Sequence, residues 1–99
     1  IGKQAFYACK SLKSISIPTG VKTIDIQTFA SCMLLQKVTL PSTVTTIDQG
    51  AFEMCLSLNS VNLPENLEEI SDNAFNFCDV LDNITIPSKV KSISPQALN

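Results

Sequence analysis

Apolar positions along this chain recur at one fixed interval. Phe6, Phe29, Phe52 and Phe75 stand 23 residues apart, with Leu98 in the fifth place. The same interval carries Cys9, Cys32, Cys55 and Cys78; Leu12, Leu35, Leu58 and Leu81; Pro18, Pro41, Pro64 and Pro87; and Ile1, Ile24, Ile47, Ile70 and Ile93. Further apolar columns are Ile15, Val38, Val61, Ile84, then Ile17, Leu40, Leu63, Ile86, then Val21, Val44, Leu67, Val90. A fixed period of this length marks a stacked array, because no single repeat can bury its apolar face alone and each column becomes a ladder when copies stack in register.

Within a copy, Leu12-Lys13-Ser14-Ile15-Ser16-Ile17 ends in strict apolar–polar alternation, the signature of a strand with one buried face. Pro18 closes it, since proline has no N–H to offer a sheet ladder. Val21 and Ile24, three apart, suggest a tight turn that sends the chain back. The next segment predicts a helix of about two turns, because Ala51, Phe52, Cys55 and Leu58 share one face at helical spacing. Asp25, Asp48, Ser71 and Ser94 stand directly before it as N-caps, and Pro95 suits a first helical position. The expected fold is therefore an α/β repeat: a right-handed solenoid with a short parallel β-sheet on one face and short helices on the other. Residues 1–99 form a single array of repeats 1–23, 24–46, 47–69, 70–92 and a partial 93–99, expected to be an excerpt of a longer one. Ankyrin and tetratricopeptide arrays are excluded, since they need periods of about 33–34 residues.

Composition removes most chemistry. The 99 residues contain no His, Arg or Trp, so His-dependent triads, His-bearing zinc sites and arginine clamps on phosphate cannot be built. Seven Lys against nine acidic residues give a net charge of −2 with no basic run, which argues against a nucleic-acid partner. No apolar stretch approaches the roughly 20 residues of a membrane span. With 44% hydrophobic and 16% charged residues the chain has the composition of a folded protein.

The pattern Leu-x-x-Ile-x-Ile-Pro, then Val-x-x-Ile, then Ala-Phe-x-x-Cys-x-x-Leu resembles the BspA-like leucine-rich repeat over the whole chain. Thr28 stands where the pattern has Ala, and Leu98 where it has Phe. The resemblance implies a leucine-rich-repeat solenoid of the kind found in surface proteins of anaerobic bacteria and parasitic protists. It also implies a cell-surface or secreted location and adhesion to host-cell or extracellular-matrix proteins. The alternatives are an intracellular scaffold built on the same repeat and a repeat spacer attached to another domain.

Four cysteines at the repeat spacing, with no Cys-x-x-Cys pair, read as a column of buried free thiols. Sheet-like coils about 4.8 Å apart hold parallel Cβ atoms beyond the ~3.8 Å mean of disulfides, and a column cannot surround a tetrahedral metal. Asn83-Ile84-Thr85 is a formal glycosylation sequon of the sort such an Asn-, Ser- and Thr-rich chain produces by accident. Glu65, Glu68, Glu69 and Asp72 are the densest acidic group, but EF-hand spacing is missing and a solvated turn is the simpler account. No Ser has a His partner, and Gly2, Gly20 and Gly50 make no phosphate loop. The expectation is a non-enzyme with no catalytic residue, metal site or cofactor. What remains is the outward sheet face, set by the alternation: Ser14 and Ser16, Lys37 and Thr39, Ser60 and Asn62, Asn83 and Thr85, the expected ligand-binding residues for a protein partner. Terminal ladder residues Ile1, Phe6 and Leu98 make end-to-end self-association a further expectation.

Overall fold

A computed structural model describes residues 2–82, 84–94 and 96–98. Each coil contributes a short strand where the alternation places it: β1 (Ser14–Ser16), β3 (Lys37–Thr39) and β5 (Ser60–Val61). These pair in parallel, with Ser14 opposite Lys37, Lys37 opposite Ser60, and Ile15 opposite Val38 opposite Val61. Partners in the register are 23 residues apart, so the period of the sequence is the register of the sheet.

The return segment, read from sequence as a turn, is a second parallel sheet. Strands β2 (Thr23–Ile24), β4 (Thr46–Ile47), β6 (Glu69–Ile70) and β7 (Ser92–Ile93) lie side by side in that order. Each is two residues long, too short for period-2 alternation to show. The Ile of β2, β4 and β6 points into the core at 0% exposure.

The expected helices are not formed: among the described residues there is no helix, and the α/β assignment gives way to strands and turns. The segment after each Asp or Ser column is a series of tight turns, in which Thr28 donates its N–H to Asp25, Ala51 to Asp48, Ala74 to Ser71 and Ala97 to Ser94. The column expected to cap helices instead starts turns through its carbonyls, and the Asp48 carboxylate accepts the N–H of the adjacent Gln49 at 2.7 Å.

A competing set of partners explains the difference. In an α-helix every N–H would return to the carbonyl four residues back. Here alternate N–H groups turn along the array axis to the next coil. Phe6 donates to Thr28, Phe29 to Ala51, Phe52 to Ala74 and Phe75 to Ala97, each at 2.8 Å. Flanking rows repeat the arrangement: Gln4 to Ile26, Gln27 to Gln49 and Gly50 to Asp72, and on the other side Ala8 to Ala30, Ser31 to Glu53 and Met54 to Asn76. Aiming peptides this way requires a left-handed backbone at two places per coil. Gln4, Gln27, Gly50 and Asn73 form one such column, and Ala8, Ser31, Met54 and Phe77 the other, all with φ between 54° and 62°. This conformation costs a non-glycine residue roughly 1–2 kcal/mol, which the rows of inter-coil hydrogen bonds offset. At Gly50 the missing side chain also relieves a close approach, since a Cβ there would meet Gln27 Cγ at 3.2 Å.

Inside the coils the ladders close. The four Phe rings stack in sequence with centroids 5.3, 5.4 and 5.2 Å apart and planes within 8° of parallel. Phe29, Phe52, Leu35, Leu58, Val44 and Leu67 are fully buried around them. Thr28, the departure from the Ala column, is also fully buried, and its hydroxyl donates to the Asp25 carbonyl at 2.8 Å, so its polar atom has a partner. Phe52 has rings on both sides and Phe6 on one. Phe52→Ala is therefore expected to destabilise by about 3–5 kcal/mol and Phe6→Ala by clearly less, as read by thermal unfolding; equal losses would contradict the ladder.

Candidate functional site: the outward face of the sheet

The strands position two rows of side chains on the solvent face. Ser14, Lys37 and Ser60 form one row through the strand register, all exposed. Ser16 and Thr39 pair in the second row, which Asn62 and Thr85 continue at the same interval, again exposed. Asn83 lies outside the described residues. The inward partners Ile15, Val38 and Val61 pack against the core, and this alternation holds the outer row in place. Parallel strands set neighbours about 4.8 Å apart, so each row is a closely spaced line of short polar groups with Lys37 as the central charge of its row.

Asn62 has a second duty that alternation alone did not reveal. Its carboxamide oxygen accepts the Leu40 N–H at 2.8 Å, and its nitrogen donates to the Leu40 carbonyl at 2.9 Å. The side chain takes over the pairing where strand β5 ends. Leu40 is only 3% exposed, so removing the bracket strands two backbone groups away from water. Asn62→Ala is expected to cost about 1–3 kcal/mol in urea unfolding, against a near-neutral Thr39→Ala.

Similar cross-coil contacts hold the turns beside the sheet. The Thr43 hydroxyl donates to the Val21 carbonyl at 2.7 Å and accepts the Gly20 N–H at 3.1 Å. Asn66 receives a hydrogen bond from Lys89 Nζ at 3.1 Å and donates to the Ser42 carbonyl at 3.3 Å. Glu65, Glu68, Glu69 and Asp72 are all exposed. Among the described residues no group of three His, Cys, Asp or Glu side chains could hold a metal ion, and no helix is long and apolar enough to cross a membrane.

All four cysteines are free, Cys32 and Cys55 buried and Cys9 and Cys78 half-buried. Their column makes a specific contact: the thiols of Cys32, Cys55 and Cys78 donate to the carbonyls of Phe6, Phe29 and Phe52 in the preceding coil, each at 3.1 Å. Burial pushes the Cys55 thiol far up, with the neighbouring Cys78 and Cys32 adding to it. Burial, with the Asp79 carboxylate adding, raises Cys78 from 9.0 to about 12. Cys32 is raised as well, again chiefly by burial. At Cys32, Cys55 and Cys78 the protonated thiol is the form the fold favours, which disfavours the nucleophilic thiolate there.

On the turn side, between the Phe and Leu ladders, the sequence pattern had singled out nothing, yet Leu34, Phe77 and Val80 are 45%, 55% and 46% exposed. They belong to columns that change type from coil to coil, the sole sequence trace of a solvent position: Ser11, Leu34, Ser57, Val80 and Ala8, Ser31, Met54, Phe77.

The family description "BspA type Leucine rich repeat region", built of six copies, matches residues 1–99. The chain belongs to the BspA-type leucine-rich repeats. It is similar to a Treponema pallidum leucine-rich repeat protein, at 33% identity over 83% of this chain and 41% of that one, with a TM-score of 0.79. A Bacteroides ovatus leucine-rich repeat protein shares 29% identity over 87% of this chain and 25% of its own, with a TM-score of 0.83. A leucine rich cell surface protein of Faecalibacterium prausnitzii shares 33% identity over 89% of this chain and 22% of its own, with a TM-score of 0.74. The BspA-type chain thus spans less than half the length of these structures. No curated protein matches it.

The raised thiols give this BspA-type array a pH signature. A native pKa above the unfolded value means that the folded state holds protons longer, so the stability present below about pH 9 is lost as pH rises toward the native value of about 12. Unfolding free energies from urea titration are expected to fall between pH 9 and 10, with a slope shallower by up to about 1.4 kcal/mol per pH unit in Cys78→Ala. An unchanged slope would show that Cys78 ionises alike in both states.

Proposed function

We propose that the array is a non-enzymatic recognition module whose protein partner docks on the outward face of β1, β3 and β5. The observation that carries this reading is the in-register row of exposed Ser14, Lys37 and Ser60 on strands whose inner residues are locked in the core. Side chains repeated at fixed spacing on a rigid sheet form an extended contact surface, and varying them from coil to coil changes specificity without touching a ladder. Ser14, Ser16, Lys37, Thr39, Ser60 and Thr85 are the contact residues of this reading, with Asn62 contributing while it brackets Leu40, and Asn83 extending the row by sequence position.

The parent protein acts at the cell surface or outside the cell as an adhesin for host-cell or extracellular-matrix proteins. Family membership supports this, as does similarity to a protein described as a leucine rich cell surface protein. A second reading places recognition on the turn side, and the exposure of Leu34 and Phe77 favours it.

The two separate by substitution. In the full-length protein, Lys37→Glu, Thr39→Lys and Ser60→Lys together are expected to weaken binding to matrix or host-cell proteins by about tenfold or more. Leu34→Ser with Phe77→Ser should leave binding unchanged. Asn62 is kept intact so that the test does not loosen Leu40, and circular dichroism checks the fold of both variants. Binding lost only in the turn-side variant would move the interface to that side.

A further inference from the structure

The strand exits differ from one coil junction to the next. Between the first and second coils, Ile17 donates its N–H to the Thr39 carbonyl at 2.9 Å. Between the second and third, the Asn62 carboxamide holds both the N–H and the carbonyl of Leu40. The corresponding residue at the third junction is Leu63, and among the described residues neither its N–H nor its carbonyl has a hydrogen-bond partner. Thr85 occupies the Asn62 column there and has no amide to offer.

The strand entrances differ in the same way. The Lys13 carbonyl accepts the N–H groups of Gln36 and Lys37, and the Gln36 carbonyl those of Asn59 and Ser60. At the next junction Asp82, the described residue in the place of Gln36 and Asn59, makes no such bond to the Asn59 carbonyl, while Asn83 lies outside the described residues. An opening of about 400 Å³ stands at this junction, lined by Val61, Asn62, Leu63, Glu65, Thr85 and Pro87. Elsewhere the same two coils are closed: Phe52 stacks on Phe75, the Cys78 thiol reaches Phe52, and Lys91 donates its N–H to Glu68.

We propose that this opening binds a primary carboxamide, the side-chain head of an Asn or Gln on a partner protein, through the N–H and carbonyl of Leu63. The protein supplies its own precedent one coil earlier, where the Asn62 carboxamide meets the same pair of backbone groups on Leu40. The chemistry is selective. An extended residue presents its N–H and carbonyl on one edge, and a primary amide presents an acceptor and a donor on one edge in return. A carboxylate offers only acceptors, and would face the Leu63 carbonyl and the Glu65 carboxylate. An ammonium offers only donors. A single trans peptide group points its oxygen and hydrogen in opposite directions and cannot make both contacts; an extended partner residue could do so through its two flanking peptides, and it is the Asn62 bracket on Leu40 that favours the side-chain amide. Val61, Leu63 and Pro87 supply apolar wall, and Glu65 and Thr85 polar rim. In naming a partner's side chain the proposal rests on the sheet-face reading.

The probe is propionamide, with N-methylpropionamide as its trans-locked counterpart, each titrated into the isotope-labelled chain while backbone amide resonances are followed. A saturable shift of the Leu63 amide with propionamide is expected, lost with N-methylpropionamide, while the already bracketed Leu40 amide stays still. Thr85→Asn should fill the opening from within and abolish the response. The wild-type comparison of Leu63 with Leu40 stands without that variant. No saturable shift at Leu63, an equal response to both amides, or equal movement of Leu40 would overturn the proposal. Because no partner protein is needed, such a failure leaves the Lys37, Thr39 and Ser60 test standing, and a failure of that test leaves this one readable.

Discussion

The structure depends on one interaction repeated in three rows, the hydrogen bond from a backbone N–H in the turn arc to the carbonyl of the equivalent turn one coil on. Phe29 to Ala51, Gln27 to Gln49 and Ser31 to Glu53 are its members at the second junction. Because each accepting peptide donates onward in its turn, the bonds join head to tail into continuous rows, in which every bond polarises the next. The Phe stack, the thiol contacts and both sheets share the same 23-residue register. A slip of one residue would break all of them together, and the sequence accordingly repeats its ladder columns without insertion.

The competition between that row and a helix explains what was legible and what was not. The ladder columns, the strand at Lys37–Thr39 and the burial of Phe52, Cys55 and Leu58 follow from apolar periodicity, because burial is what periodicity encodes. The turn arc does not. Its inward positions Ala51, Phe52, Cys55 and Leu58 fall at helical spacing whether the backbone coils or zigzags, so the pattern admits both. A discriminating signal was present in the column Gln4, Gln27, Gly50 and Asn73. Glycine and asparagine are poor in helix interiors and tolerant of positive φ, so their sharing a place in the supposed helix favours a left-handed turn. The two-residue strands of the second sheet leave too little pattern to read.

Alternation served the sheet face well as far as direction is concerned: the described face residues are exposed, as the outward phase requires. Alternation says which side a residue is on and not what it touches there. Asn62 is outward and still committed to Leu40, because an amide on a short stem can turn back along its own edge and imitate a strand. The cysteines teach the same lesson from inside. Their burial follows from their column, whereas their donation to the Phe carbonyls depends on a reach across the coil boundary that no one-dimensional pattern contains.

The turn-arc rows also give the array an electrical direction. Every one of their N–H groups points toward the C-terminal coil and every carbonyl toward the N-terminal one, so the peptide dipoles add along the solenoid axis as they do along a helix. The two ends of such a stack are chemically unlike. Whatever structure precedes the first turn arc must offer donors to its carbonyls, and whatever follows the last must offer acceptors to its N–H groups, so two copies can extend one another head to tail but not head to head.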